Sequence, residues 1–279
     1  MEIIYGVLEQ GLIYGLVGIA VFLTLRVIDF PDMGVNNSFT SGAAVWYYGH
    51  TLGLDPYSSL AIAFLFGISI GYITASLHLF CNIRSLLSGI IMMIALYSVN
   101  MRLMGKPNIP LMSVNNIFSN CNDLEKILIL FLIISVVCIG LSLFLMSEIG
   151  LGIRVSGQNY MLGETYGISK NFTVGTTVAL SNGIAALAGA LLGQAQGFVD
   201  INMGNGMIII GLVSVIIGEK IFSTIKVYIM ICMSVIGAIL YKISIMLALF
   251  SYDVGLQSSD MYGITALMMI ATMFQRKAN

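Results

Sequence analysis

Apolar positions in this chain fall in long unbroken runs, not in the spaced stripes of a soluble helix. The runs are approximately Gly11–Ile28, Phe39–Leu52, Ser58–Phe80, Leu86–Met104, Ile127–Met146, Phe172–Leu192, Gly206–Gly218, Val227–Phe250 and Met261–Phe274. A helix rising 1.5 Å per residue needs about 20 apolar residues to cross a bilayer core. Phe39–Leu52 and Gly206–Gly218 fall short of that and read as short or broken membrane helices; the others read as spans. The expectation is an all-α membrane protein, a polytopic helical bundle of about nine membrane segments.

The polar residues between runs give the bundle a direction, because Lys and Arg collect in cytoplasmic loops. If the Arg154–Lys170 loop is cytoplasmic, Arg26, Arg84, Lys220, Lys226, Arg276 and Lys277 share its side, and Asp55, Asp200 and Asp253–Asp260 lie opposite. Arg102, Lys106, Lys126 and Lys242 run against the rule. This orientation places the N-terminus outside and the C-terminus inside.

Two stretches bring polar side chains to the short segments: the first segment begins "GVNNSFTSGAA", and around the second lies "QAQGFVDINMGNG". Polar groups at membrane depth line a water-filled path or glue helices that pack through small residues. Asn36, Asn37, Tyr97, Asn100, Gln194 and Asn205 are the candidate path residues. The same stretches share a Phe-x-Asp pair, Phe30/Asp32 and Phe198/Asp200, each closing a long run and opening a short one. One lies at each face, as an inverted repeat would place them, with halves of about 1–126 and 172–279 in one transmembrane domain. Pro31 stops the span before it, and Asp29 and Asp32 can cap the turn.

Composition agrees. Of 279 residues, 58% are hydrophobic and 9% charged, against about 25% charged in soluble domains. The net charge of −1 and the absence of a basic run give no sign of nucleic acid. The start of the chain lacks the basic region and small-residue site of a cleaved signal. Cys81, Cys121, Cys138 and Cys232 form no CxxC, and His50 and His78 stand apart, so neither a metal site nor a catalytic constellation is expected. No GxxxxGK[ST] occurs, so any ATP is bound by another subunit and this chain needs no cofactor of its own.

The segment "RVSGQNYMLGETYGISKNF" (Arg154–Phe172) interrupts this pattern. Asn159 is a good N-cap and Gly167 a good residue just past a helix end, which predicts a helix of about seven residues between them. So short a helix must pack on something, either this chain's own face or a groove in a partner.

Four stretches carry a resemblance across nearly the whole chain: "LRVIDFPDMGVNNSFTSGAA" (Leu25–Ala44), "MIALYSVNMRLMGKPNIPL" (Met93–Leu111), "EIGLGIRVSGQNYMLGETYGI" (Glu148–Ile168) and "ALSNGIAALAGALLGQAQGFVDINMGNGMIIIGLVSVIIGE" (Ala179–Glu219). The chain resembles the permease subunits of bacterial ABC importers, in the branch of branched-chain amino acid and ribose permeases, and within it those for aromatic amino acids such as tryptophan or tyrosine. The resemblance implies a multi-pass inner-membrane subunit, homodimeric, working with two ATPase chains and a periplasmic or lipid-anchored solute-binding protein. It implies alternating access driven by ATP at the partner. The coupling loop 147–172 then holds the helix that docks into the ATPase, through Asn159, Tyr160, Met161, Leu162, Glu164, Tyr166, Gly167 and Ile168. Tyr160 departs from the small, charged or proline residue more usual there, and Gly163 weakens the helix. Asp32 and Glu219, at the same face, are candidate secondary ATPase contacts. A sugar, nucleoside or branched-chain amino acid is the alternative solute, and an ATPase-independent secondary transporter the alternative mechanism. The latter would want a charge near mid-membrane, which the centres of the runs lack.

Overall fold

A computed structural model of the protein describes residues 2–111, 114–119, 121–165, 167–221, 226–250, 263–266 and 270. Its helices are α1 (Glu2–Val21), α2 (Gly34–Thr51), α3 (Pro56–Phe80), α4 (Ser85–Met104), α5 (Asp123–Met146), α6 (Glu148–Gln158), α7 (Tyr160–Thr165), α8 (Lys170–Gln196), α9 (Met207–Ile221) and α10 (Val227–Phe250). Among the described residues, six helices are long and apolar enough to cross a membrane: α1 with its continuation to Val27, α3, α4, α5, α8 and α10. The count of about nine is not reached there. The helices α2 and α9 are the two short segments, and the run Met261–Phe274 lies mostly outside the described residues.

Helix α8 is the axis. It is 27 residues long, buried along nearly its whole length, and packs on α1, α2 and α3. Small residues allow this: a Cβ at Gly189 would overlap the carbonyl oxygen of Phe39 on α2, so the two backbones meet where a side chain would hold them apart. The outer side of the bundle is left to α5, which exposes Leu128, Phe131, Leu132, Val136, Ile139 and Leu143, a face suited to lipid.

Both short helices differ from their apolar runs. The helix α2 starts at Gly34, five residues before the run it contains, because its polar N-terminal residues face the protein interior: Asn37, Ser38, Thr40 and Ser41 are all buried. Its start meets the start of α9. The Asn36 side-chain oxygen accepts from the Ile208 amide at 2.9 Å, and the Thr40 hydroxyl accepts from the Gly204 amide at 3.1 Å.

One end of the bundle gathers Arg26, the turn 28–33, the α3–α4 connection, α6, α7 and the end of α9. The opposite end gathers the α2–α3 connection, the α4–α5 connection and the α8–α9 connection. There β1 (Asn108–Pro110) pairs antiparallel with β2 (Phe198–Asp200), in register Asn108↔Asp200 and Pro110↔Phe198. This small pairing departs from the all-α expectation. Among the described residues, Arg26 and Lys170 lie at one end and Asp55 and Asp200 at the other, as the loop charges group them; Asp253–Asp260, Arg276 and Lys277 lie outside the described residues.

Candidate functional site

The site is a surface knob with a turn beneath it. Ser147 ends α5 and caps α6, its hydroxyl accepting from the Gly150 amide at 3.3 Å. Residues Glu148–Gln158, expected as loop, form the helix α6, whose buried side is short, with Ile153 as its large buried residue. Asn159 then breaks the helix in extended backbone and caps α7, its side-chain oxygen accepting from the amides of Met161 at 3.0 Å and Leu162 at 3.3 Å. Gly167 closes the knob in the left-handed region at φ +79°, and the Ile168 amide bonds back to the Gly163 carbonyl at 3.0 Å. Tyr166 lies outside the described residues.

The faces of α7 are unequal. Met161 is 81% exposed and Leu162 51%, with Glu164 and Thr165 also at the surface. Gly163 is buried against Ser156 of α6, and Ile168 packs beside Gly152. Tyr160 turns inward: its hydroxyl donates to the Ile28 carbonyl at 3.1 Å, and the Lys170 ammonium sits 5.0 Å from its ring centre. Burial, and then the nearby Asp29 charge, push the phenol above its usual range, so it stays a protonated donor.

Ile28 begins the turn, in which Ile28, Phe30 and Asp32 are buried while Asp29 is exposed. The residues before it, Phe22–Val27, continue α1 as a π-helix, and the Phe30 amide returns to the Thr24 carbonyl at 2.7 Å. Asp29 takes φ +49°, which aspartate tolerates better than most residues. Asp32 then caps α2, accepting from the Gly34 amide at 2.8 Å, and also accepts from the Asn182 side chain at 2.7 Å. Asn182 in turn accepts from the Ser38 hydroxyl at 2.5 Å. Asp32 is wholly buried, so it is corrected from an ATPase contact to the anchor of this turn. Asn182, unmarked in the sequence beyond one amide in an apolar run, is the residue the reading missed. Glu219 stays partly exposed and pairs with Arg26 across the same end.

The six candidate path residues are spread over α2, α4, α8 and the α8–α9 connection. Asn36 and Asn37 bond α9 and the Met93 carbonyl of α4, respectively. Gln194 is buried at the far end, accepting from the Ile117 amide and donating to the Ala190 carbonyl. Asn100 is buried on α4 with neither side-chain polar atom bonded, while Tyr97 on the same helix is half exposed. Asn205 lines a cavity of about 530 Å³ at the far end, with Gln196, Asp200, Tyr14 and Tyr241. Among the described residues, no group of three His, Cys, Asp or Glu is placed to hold a metal ion.

Residues 3–273 match the sequence profile of a family described as branched-chain amino acid transport system, permease component. The chain belongs to that family. It is a transmembrane permease, multi-pass in the cell membrane. It is 34% identical, over 97% of its own length and 90% of the relative's, to a tyrosine transport system permease protein of Clostridioides difficile (strain R20291). An uncharacterized protein of Rickettsia prowazekii (strain Madrid E) is 32% identical over 80% of the permease and 79% of that relative. No solved structure matches the permease.

Proposed function

We propose that this permease is the membrane subunit of an ATP-driven importer for an aromatic amino acid, tyrosine foremost. The observation that carries the substrate is the 34% identity, along nearly the full length of both chains, to a protein named for tyrosine transport. The chain acts as a homodimer with two ATPase subunits and an external solute-binding protein, and performs no chemistry itself. The helix α7 docks the ATPase. Its exposure of Met161 and Leu162 at the basic end of the bundle supports this, because two large apolar side chains projecting into water are an anchor awaiting a groove. Glu219, partly exposed at the same end, is a secondary contact.

The helices α2 and α9, with the run Met261–Phe274, complete about nine membrane segments. The order of α1 and α2 against α8 and α9 supports two inverted halves, because each long helix is followed by a Phe-x-Asp connector and a short helix, and the pairs run in opposite directions. The solute passes beside the meeting point of the short helices.

The test is uptake of labelled tyrosine into proteoliposomes holding the permease, its ATPase and its binding protein. ATP-dependent uptake, reduced by excess tryptophan or phenylalanine, is expected. Uptake of ribose or leucine in place of tyrosine would overturn the substrate, and tyrosine uptake without the ATPase would overturn the mechanism.

A further inference from the structure

We propose that Tyr160 is a positioning residue that carries displacement of the docked α7 into the turn at Ile28–Asp32, and so to the start of α2. This rests on the reading of α7 as the docking helix.

Motion of a six-residue helix matters only if something stiff ties it to the bundle. The Tyr160 hydroxyl makes such a tie. It bonds a backbone carbonyl 132 residues away in sequence, at 3.1 Å, from the first residue of α7. A second contact stiffens it: Gly157, three residues earlier, lies so close to the end of the π-helix that a Cβ there would overlap the Val27 carbonyl oxygen. The backbone of α6 and the side chain of α7 therefore grip adjacent residues, Val27 and Ile28, from one side.

What they grip is the only covalent link between α1 and α2, and it is built to pivot. A π-helix precedes it, a wider and less regular turn that recurs at functional sites. Asp29 follows at φ +49°. Three residues later Asp32 is locked to the Gly34 amide and to Asn182. A push on Ile28 thus reaches the first turn of α2 through a short segment fixed at both ends. From there the Asn36 and Thr40 side chains hold the start of α9. The knob is wired to both short helices through one phenol.

Removing that hydroxyl should separate docking from coupling. Met161 and Leu162 project away from the turn, whereas Tyr160 points into it and keeps its ring contact with Lys170 when only the oxygen is lost. The experiment compares wild type with Tyr160→Phe in the full complex, reconstituted in proteoliposomes with labelled tyrosine as the probe. Three readings are taken: ATPase co-purification, ATP hydrolysed per tyrosine moved, and thermal stability. ATPase binding is expected to stay within about twofold of wild type, while tyrosine moved per ATP falls by about five- to tenfold, the scale of one lost hydrogen bond. Gly157→Ala is expected to move the ratio in the same direction by breaking the second grip.

An unchanged ratio in Tyr160→Phe would overturn the proposal. So would lower thermal stability with an unchanged ratio, which marks a merely structural role, or loss of the ATPase, which would make Tyr160 a docking residue. Failure of the docking reading shows separately: Met161→Ala with Leu162→Ala would then leave the ATPase bound.

Discussion

The connectors before the two short helices share the letters Phe-x-Asp and little else. In the first, Phe30 and Asp32 are both buried, and Asp32 holds α2 to α8 through Asn182. In the second, Phe198 is 39% exposed. Asp200 is only partly buried, accepting from the Asn108 side chain at 2.9 Å and from the Asn202 amide at 2.8 Å. The first connector dives into the protein and ties a helix start to the central axis. The second stays at the surface, pairs as a strand with β1, and lets the chain descend afterwards to α9. One motif thus serves as a buried anchor at the end that carries α7 and as a surface clasp at the opposite end. The α6–α7 unit reaches the first connector through Gly157 and Tyr160, besides packing on α8.

Substitutions should expose this asymmetry. Asp32→Ala is expected to cost about 2–4 kcal/mol, because it strands the Gly34 amide and weakens the hold on Asn182 in a buried site; thermal unfolding of the purified permease in detergent measures it. Gly189→Ala comes next, at about 1–3 kcal/mol, because its Cβ would force α2 off α8; the same assay should show it, with no matching loss for alanine at exposed Gly140. Asp200→Ala is expected to cost under about 1 kcal/mol, since its partners can turn to water. Equal losses for Asp32→Ala and Asp200→Ala would erase the distinction drawn between the connectors.

The smallest expected effect is of pH. The Tyr160 phenol donates its bond only while protonated, and its range is raised by burial and by Asp29, with the Lys170 ammonium over the ring. A group with a raised folded value keeps its contribution below its ordinary value and loses it only as pH climbs through the raised one. Tyrosine moved per ATP should therefore be flat from about pH 6 to 9, well below the ordinary tyrosine range. A fall across that window that is absent in Tyr160→Phe would contradict the assignment of the donor.

Local features were legible in the sequence and distant ones were not. Asn159 and Gly167 could be read as helix ends because a cap bonds its own next turn, and the family emerged from motifs spread along the chain. The charge grouping was legible because loop lysines and arginines need no partner to be counted. Asn182 was not legible, since its meaning depends on Asp32, 150 residues away. The opening of the first short segment at Gly34 was legible in the sequence, but the partners of Asn37, Ser38 and Thr40 (the Met93 carbonyl, Asn182 and the Gly204 amide) were not, for the same reason. Nor were the bonds that Asn36, Asn37 and Gln194 make inside the protein legible, because polarity alone does not reveal which side chains are already bonded.

The claim on which the account turns is that α7 stands on the cytoplasmic side, open to a separate ATPase. Met161→Cys, in a background with Cys81, Cys121, Cys138 and Cys232 replaced, tests it with a membrane-impermeant thiol reagent. Labelling only from the cytoplasmic side, and protection when the ATPase is bound, is the predicted result. Labelling from the outside, or equal labelling with and without the ATPase, would contradict it.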